Sequence, residues 1–236
     1  MKRVGLILIL INLLLPNSNA QSSLNISGGT AMPLGKFAET SLGDGGYAKL
    51  GYSYGLEASY YFPSRLGFGL QVNYHNNPLD IEALEQDAKT DLGYKATRPN
   101  SAGSNTSYSA LAMGGYKIVD RNRFSITANA GAGLALNSMS KAVNFGVSNN
   151  GVFVENIYVD YDNKYTFAYT IGTRFLYYVS PSLGLTAGVW YYSTTPDYKI
   201  VKQKADFKGT ISSTVVREYS MANNILDFRL GLVFGN

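Results

Sequence analysis

The chain has 236 residues, with 25 glycines, 19 tyrosines, one histidine and no cysteine. Charged residues make up 15% of it and the formal net charge is +4, whereas soluble domains carry about 25% charged residues. The missing cysteines exclude a disulfide scaffold and a thiolate metal site, and a single histidine excludes a multi-histidine metal site. We therefore expect no metal and no cofactor.

The first twenty residues predict an export signal. Lys2 and Arg3 precede an apolar run over 4–15, and small residues follow at 18–20. The run is too short for a transmembrane helix, which needs about twenty residues. We expect a signal peptide over 1–20, cleavage before Gln21 and one mature domain over 21–236. Loss of Lys2 and Arg3 lowers the formal net charge from +4 to +2, and no nucleic-acid partner is expected. A buried N-terminal helix is the alternative.

Beyond Gln21, apolar residues recur at every second position, which is the period of a strand with one apolar face. The alternation is clear in six segments: 50–62, 66–74, 124–136, 165–179, 183–191 and 226–234. It is weaker in 24–32 and in 108–118, where Leu111 and Met113 fall on the opposite parity. The pattern predicts eight strands.

The connections between these strands alternate in length. Three are short, at 63–65, 120–123 and 180–182, and four are long, at about 33–49, 77–107, 137–164 and 196–224. A compact soluble domain seldom carries four long loops, whereas a membrane barrel has short periplasmic turns and long extracellular loops. The sequence therefore predicts an all-β fold, an eight-stranded antiparallel up-and-down transmembrane β-barrel.

The composition of the two strand faces indicates which one meets lipid. The polar set is mostly Gly, Ser, Asn and Thr, which suits the narrow interior of an eight-stranded barrel. The apolar set is Tyr, Phe and Leu, and aromatic residues near the strand ends are typical of interfacial girdles: Tyr60, Phe62, Tyr74, Tyr108, Phe124, Tyr177 and Tyr191. The alternative is a soluble exported barrel of the lipocalin kind, in which the apolar set faces inward.

The signal, the eight segments, the loop rhythm and the closing segment 227–234 resemble the small outer-membrane β-barrel proteins of Gram-negative bacteria. These are the OmpX/OmpW-like and "outer membrane protein beta-barrel domain" families. The resemblance implies a bacterial outer-membrane location, contact with outer-membrane lipid and lipopolysaccharide, and insertion by the barrel-insertion machinery. The insertion signal would lie in Phe228, Gly231 and Phe234. Gly235 and Asn236 depart from the family pattern, which usually ends on the aromatic residue.

Charged residues are rare inside the predicted strands and all fall on the polar parity: Glu57, Lys117, Arg174, Asp227 and Arg229. Opposite charges in a narrow lumen are expected to pair. Because the last strand closes beside the first, Glu57 is expected to meet Arg229. The network then acts either as a plug that fills the lumen or as an ionic gate in a narrow passage.

His75 is the single histidine and lies on the inner parity. The resemblance extends to lipid-modifying barrels, in which such a histidine acts as a general base. No spacing identifies a partner serine or acid, so no catalytic residue is predicted and the protein is not expected to be an enzyme.

Two of the long loops carry local signals. Asp80 before 81–85 predicts the N-cap of a short helix. Alternation at 198–202 and 214–216 predicts that the last two strands continue beyond the membrane as a hairpin.

The predicted function is a structural or surface-interaction role, with a lumen plugged by side chains and an extracellular partner bound through the loops. The alternative is a narrow channel for small apolar solutes, which the OmpW-like resemblance implies. A lipid-modifying enzyme and a soluble lipocalin-like binder are further alternatives.

Overall fold

The computed structural model describes residues 21–41, 45–83, 86, 95–96, 103–139, 147–148, 153–160, 165–206 and 211–235. The predicted signal peptide over 1–20 lies outside these residues. Within the described part of the chain, no helix has the length and apolar character needed to cross a membrane.

Eight long strands form one closed barrel, in which every neighbouring pair is antiparallel. In chain order they are β1 (Gln21–Leu34), β2 (Gly51–Tyr61), β3 (Leu66–Pro78), β5 (Ser104–Arg121), β6 (Phe124–Met139), β9 (Tyr165–Ser180), β10 (Leu183–Thr194) and β13 (Asn223–Gly235). Five further strands lie between them: β4 (Lys95–Ala96), β7 (Val147–Ser148), β8 (Phe153–Asp160), β11 (Asp197–Asp206) and β12 (Ile211–Ser220). The barrel order is β1-β13-β10-β9-β6-β5-β3-β2, which confirms the predicted fold class.

The period of two in the sequence becomes two faces of the barrel wall. Along β2, Tyr54 and Leu56 are exposed on the outside, whereas Ser53 and Glu57 are buried inside. The same division repeats around the barrel, and Leu70, Ile171 and Leu230 stand at 61%, 59% and 71% exposure. Monomeric soluble proteins rarely expose an apolar belt of this extent, whereas a barrel in lipid requires one. The apolar set therefore faces outward, as predicted.

The pairing register tilts the strands steeply. We followed the paired residues once around the barrel, starting from His75 on β3. The path comes back at Arg65, directly before β3, which is a shift of ten residues. The path runs through Ser53, Gly29, Arg229, Gly188, Arg174, Thr127 and Lys117. A shift of this size in eight strands corresponds to a tilt of about 40°. All of these positions except Arg65, which lies in the turn before β3 and is exposed, face inward, so one continuous spiral of residues lines the lumen.

The first long connection folds over the loop end of the barrel. A 3-10 helix at Gly35–Phe37 turns the chain out of β1, and Gly35 has a φ of 58°, a conformation that glycine adopts without strain. The Ala48 N–H donates to the Phe37 carbonyl at 3.0 Å, and the Lys49 N–H donates to the Pro78 carbonyl at 2.8 Å. Phe37 is 2% exposed and packs at one side of the mouth.

The predicted hairpin after β10 forms, but it does not continue the barrel strands. β11 pairs with β12 and also with β8, in a separate three-stranded sheet of order β12-β11-β8. Pro196 lies between β10 and β11, and proline cannot donate to a ladder. The Met221 N–H donates to the Pro196 carbonyl at 3.3 Å. The connection from β10 to β11 and the connection from β12 to β13 therefore lie side by side.

The predicted N-cap is confirmed. Residues 81–83 are helical, and the Ala83 N–H donates to Asp80 Oδ1 at 3.1 Å. The Lys49 ammonium lies 3.0 Å from the same oxygen. Partial burial by itself raises the pKa of the Asp80 carboxyl, but the hydrogen bonds from Ala83 and Lys49 outweigh it and hold that pKa below its usual value.

Candidate functional site

The inner face of the barrel forms the candidate site. It buries the five charged residues of the predicted network, each at most 5% exposed: Glu57, Lys117, Arg174, Asp227 and Arg229. Small and amide side chains such as Ser59, Asn73 and Asn129 fill the space between them. Buried charges are costly unless they are paired, so the partners of each charge decide what the lumen does.

One ion pair crosses the full width of the lumen. Arg174 Nη1 donates to Glu57 Oε1 at 2.7 Å, and their strands, β9 and β2, stand opposite each other in the barrel order. Arg174 Nη2 also lies 3.4 Å from the Tyr61 hydroxyl, which donates to Asn129 Oδ1 at 3.2 Å. We call the Glu57–Arg174 pair the strut. The prediction that Glu57 meets Arg229 was wrong, because the register sets Arg229 level with Gly29 and Ser53, four residues along β2 from Glu57.

Arg229 is the centre of a second group, the Arg229 cluster, which consists of Ser53, Asn73, His75, Asp227 and Arg229. The three guanidinium nitrogens donate to Asp227 Oδ2 at 2.5 Å, to Asn73 Oδ1 at 2.6 Å and to Ser53 Oγ at 3.2 Å. His75 Nε2 lies 2.9 Å from the same Asp227 oxygen. The cluster connects β13 to β2 and β3 and closes the lumen nearer the loop end.

His75 is buried between this cluster and an aromatic ring. Its imidazole stacks on Tyr192 with 4.4 Å between ring centroids, and the Tyr192 hydroxyl shares a 3.0 Å hydrogen bond with Ser107. The structure supplies the acid partner that the sequence did not identify, Asp227. Its inward parity on the last strand was a usable signal, but spacing along the chain does not reveal a contact between β3 and β13. His75 and Asp227 are 1% and 0% exposed, and Arg229 holds the carboxylate. This arrangement fits a structural pair better than a catalytic one.

Lys117 lies apart from both groups, at the turn end of the barrel. Its ammonium group donates to the side-chain oxygen of Gln21, lies 3.3 Å from Asp120 Oδ2 and stands 5.2 Å above the ring of Tyr61. These contacts join β5 to β1 and β2, and they close the turn end of the lumen.

Part of the inner wall is apolar. Leu111 and Met113, which broke the parity of β5 in the sequence, point inward and are 1% and 7% exposed. Trp190 on β10 is buried in the same cluster. A Cβ at Gly172 would lie 2.6 Å from the indole ring, so glycine is needed there for the ring to lie flat against the wall. The reversed parity of Leu111 and Met113 therefore marks an apolar sector of the lumen wall.

The predicted insertion signal lies on β13, which pairs with β1 and β10. Phe228 and Phe234 face outward at 46% and 43% exposure. Gly231 faces inward against Ser27, and a Cβ there would lie 2.4 Å from the Ile26 carbonyl oxygen. Phe228 and Phe234 therefore stand on the lipid face, and Gly231 permits the close approach of β1.

Within the described part of the chain, no group of three or more His, Cys, Asp or Glu side chains is placed to hold a metal ion.

No family model matches the chain. No curated protein matches it either. Similar solved structures include a major outer membrane protein from Thermus thermophilus, with a TM-score of 0.49, 14% identity, and coverage of 92% of this chain and 99% of that one. Ail of Yersinia pestis, solved with the heparin analogue sucrose octasulfate, has a TM-score of 0.44 and 13% identity, over 92% of this chain and 99% of that one. The protease OmpT of Escherichia coli has a TM-score of 0.42 and 10% identity, over 93% of this chain and 97% of that one.

Identities this low, with TM-scores below 0.5, say nothing about which activity this chain has. The class follows from the molecule itself, from eight antiparallel strands closed on one another, an apolar outer face and a polar filled interior. The chain has the architecture of the small outer-membrane β-barrel proteins.

Proposed function

We propose that this protein is an integral protein of the bacterial outer membrane with a plugged lumen and a structural or surface-interaction role. The observation that carries the proposal is the closure of the lumen at separate levels. The strut crosses it, the Arg229 cluster fills it above, and the charges of both groups are at most 4% exposed. An interior of eight strands leaves only enough room for side chains.

We infer the orientation from the lengths of the connections. The tight turns between β2 and β3, β5 and β6, and β9 and β10 are placed in the periplasm, as in other barrels of this class. The long segments, with the sheet of β8, β11 and β12, are then extracellular. We propose that they contact lipopolysaccharide or a surface partner, and that the outward aromatic residues of β13 serve the insertion machinery. The chain is exported through a cleaved signal peptide.

A narrow channel for small apolar solutes is the second candidate. The apolar sector of Leu111, Met113 and Trp190 favours it, because such a wall suits an apolar solute better than an ion. The strut and the Arg229 cluster stand in the way of this passage, so conduction requires that the ion pairs open.

The first test is conductance. Heat-modifiable protein, which migrates faster on a gel when it is not boiled, is reconstituted into planar lipid bilayers. The plugged barrel is expected to be silent. Conductance steps in the wild type that change size in Glu57→Ala or Arg174→Ala would instead support the channel.

The second test concerns the loops. Trypsin added to intact cells is expected to cleave between 197 and 220, where the sequence offers several lysines, and to leave a heat-modifiable barrel. Protection in intact cells with cleavage in spheroplasts would reverse the orientation. If contact with lipopolysaccharide or with a surface partner survived the cleavage, a role for these loops would be contradicted. A soluble periplasmic protein without a gel shift would contradict the membrane location.

A further inference from the structure

A polar pocket opens at the mouth of the lumen, above the Arg229 cluster. We call it the mouth pocket, and its lining includes Phe37, His75, Asn77, Asn105, Ser107 and Asn137. The residues from β3, β5 and β6 meet there because the register sets Asn77 opposite Asn105, and Ser107 opposite both His75 and Asn137. Its cavity volume is about 10 Å³, which is room for a single oxygen-sized group.

The scaffold fixes which atoms of the pocket are free. Asn77 Nδ2 donates to the carbonyls of Ala31 at 2.8 Å and Lys49 at 3.0 Å, and this leaves Asn77 Oδ1 without a partner among the described residues. Asn137 Nδ2 donates to Thr166 Oγ1 at 2.8 Å, and Asn137 Oδ1 is likewise unpartnered in the described part of the chain.

Two further groups bring free atoms to the pocket. Asn105 is 6% exposed, and neither end of its carboxamide has a partner among the described residues. His75 uses Nε2 for Asp227, whereas its Nδ1 is unpartnered within the same described set. Buried polar atoms are costly without hydrogen bonds, so several of them on residues that line one small cavity indicate a polar occupant.

The free atoms are mostly acceptors, with one amide donor at Asn105. They do not suit an anion, because no cation among the described residues lines the pocket and the Arg229 guanidinium next to His75 already donates to Asp227, Asn73 and Ser53. They do not suit a cation either, because Arg229 already neutralises Asp227. A hydroxyl group both donates and accepts, carries no charge and has the size of the cavity. Phe37 forms the apolar side of the pocket, next to the carbon atom that would carry such a hydroxyl.

We propose that the mouth pocket binds one hydroxyl group of a neutral, hydroxyl-rich small molecule, such as a sugar, that enters from the loop side. The orientation proposed above places this pocket outside the cell. Binding to purified protein does not depend on that orientation or on whether the lumen conducts, so the two proposals fail separately.

The test uses the folded protein in a detergent without a sugar headgroup and glucose as the probe. Saturation-transfer NMR is expected to detect glucose binding to the wild type. Asn105→Leu removes both free amide atoms and has the least effect on the scaffold, since the Asn105 side chain makes no hydrogen bond to the described residues. This substitution is expected to weaken binding at least tenfold.

Gln71→Leu is the matched control, because Gln71 also carries a buried amide, on β3, but does not line the pocket. It is expected to bind glucose like the wild type, and the gel shift on boiling verifies that each variant is folded. Absence of saturation transfer in the folded wild type, which would leave water as the only occupant, overturns the proposal. Equal binding by Asn105→Leu, or displacement of glucose by sulfate, overturns it as well.

Discussion

The Asp227 carboxylate and the Arg229 guanidinium, two residues apart on one strand, meet at 2.5 Å in the closed interior of the barrel. Alternation puts both side chains on the same face, and the narrow lumen keeps water from separating them. The pair therefore fixes the inward face of β13 as well as filling the lumen.

Removal of one partner of this pair is expected to cost more than removal of both. Arg229→Met leaves the Asp227 charge buried, and such a change typically costs about 3–5 kcal/mol. The double variant Asp227→Asn/Arg229→Met leaves no charge and is expected to lose less free energy of unfolding. Urea unfolding in lipid vesicles, followed by the fluorescence of Trp190 and by the gel shift, measures both. Equal losses in the single and double variants would contradict a paired network.

A charge on the outer face is expected to reveal the membrane boundary. Leu230 lies midway along β13 at 71% exposure, and Leu230→Arg is expected to destabilise the barrel by about 2–4 kcal/mol. Tyr165 begins β9 at the loop end and is 74% exposed. Tyr165→Arg serves as the matched control and is expected to cost about 0–1 kcal/mol, because the penalty falls near the interface. A similar cost at both positions would argue that this face is not embedded in lipid.

The Asp80 cap is expected to fail in acid. Because the folded pKa of Asp80 lies below its unfolded value, its stabilisation is present above the unfolded pKa, about 3.9, and is lost as the pH falls through the folded pKa. The protection factor of the Ala83 amide against hydrogen exchange reports this loss. It is expected to hold from pH 7 to about pH 5 and to fall below about pH 4.

The variant Asp80→Ala provides the control for this titration. It is expected to lower the Ala83 protection factor about fivefold at pH 7, which corresponds to a capping contribution of about 1 kcal/mol, and to remove the acid dependence. An acid dependence that persists in Asp80→Ala would assign the titration to another carboxyl group.

The outward aromatic residue near the end of β13 is expected to govern assembly. Phe234→Ala is predicted to slow insertion by the barrel-insertion machinery in proteoliposomes and to change spontaneous refolding in detergent little. Phe228→Ala, on the same face but further from the end, tests whether position matters. Equal insertion rates for the wild type and Phe234→Ala would exclude Phe234 from the signal.

The faces of the barrel could be predicted from the sequence, and its internal partners could not. Alternation in 50–62 and 165–179 is a local property of the chain, so it predicted the strands and the inward set, including Glu57 and Arg174. The meeting of these two side chains depends on the shift of ten residues around the barrel, which is a property of all eight pairings together. No short segment of the sequence determines this shift.

Local signals were useful only when their physical cause was also local. Asp80 caps the turn that immediately follows it, and the prediction was confirmed. The inverted parity of Leu111 and Met113 marked a real feature, but its meaning depended on Trp190 on β10, which is buried in the same apolar cluster. Likewise, His75 gained its acid partner from a strand about 150 residues away in the chain, so its spacing in the sequence carried no information.

The strut between opposite walls also bears on how long the inserted protein lasts. Glu57 and Arg174 lie on opposite walls of the closed barrel, so we expect their hydrogen bond to form late in assembly. Interactions that are absent from the folding transition state leave the folding rate almost unchanged and slow unfolding instead. We therefore expect the strut to slow unfolding, which lengthens the lifetime of the inserted barrel without speeding its assembly.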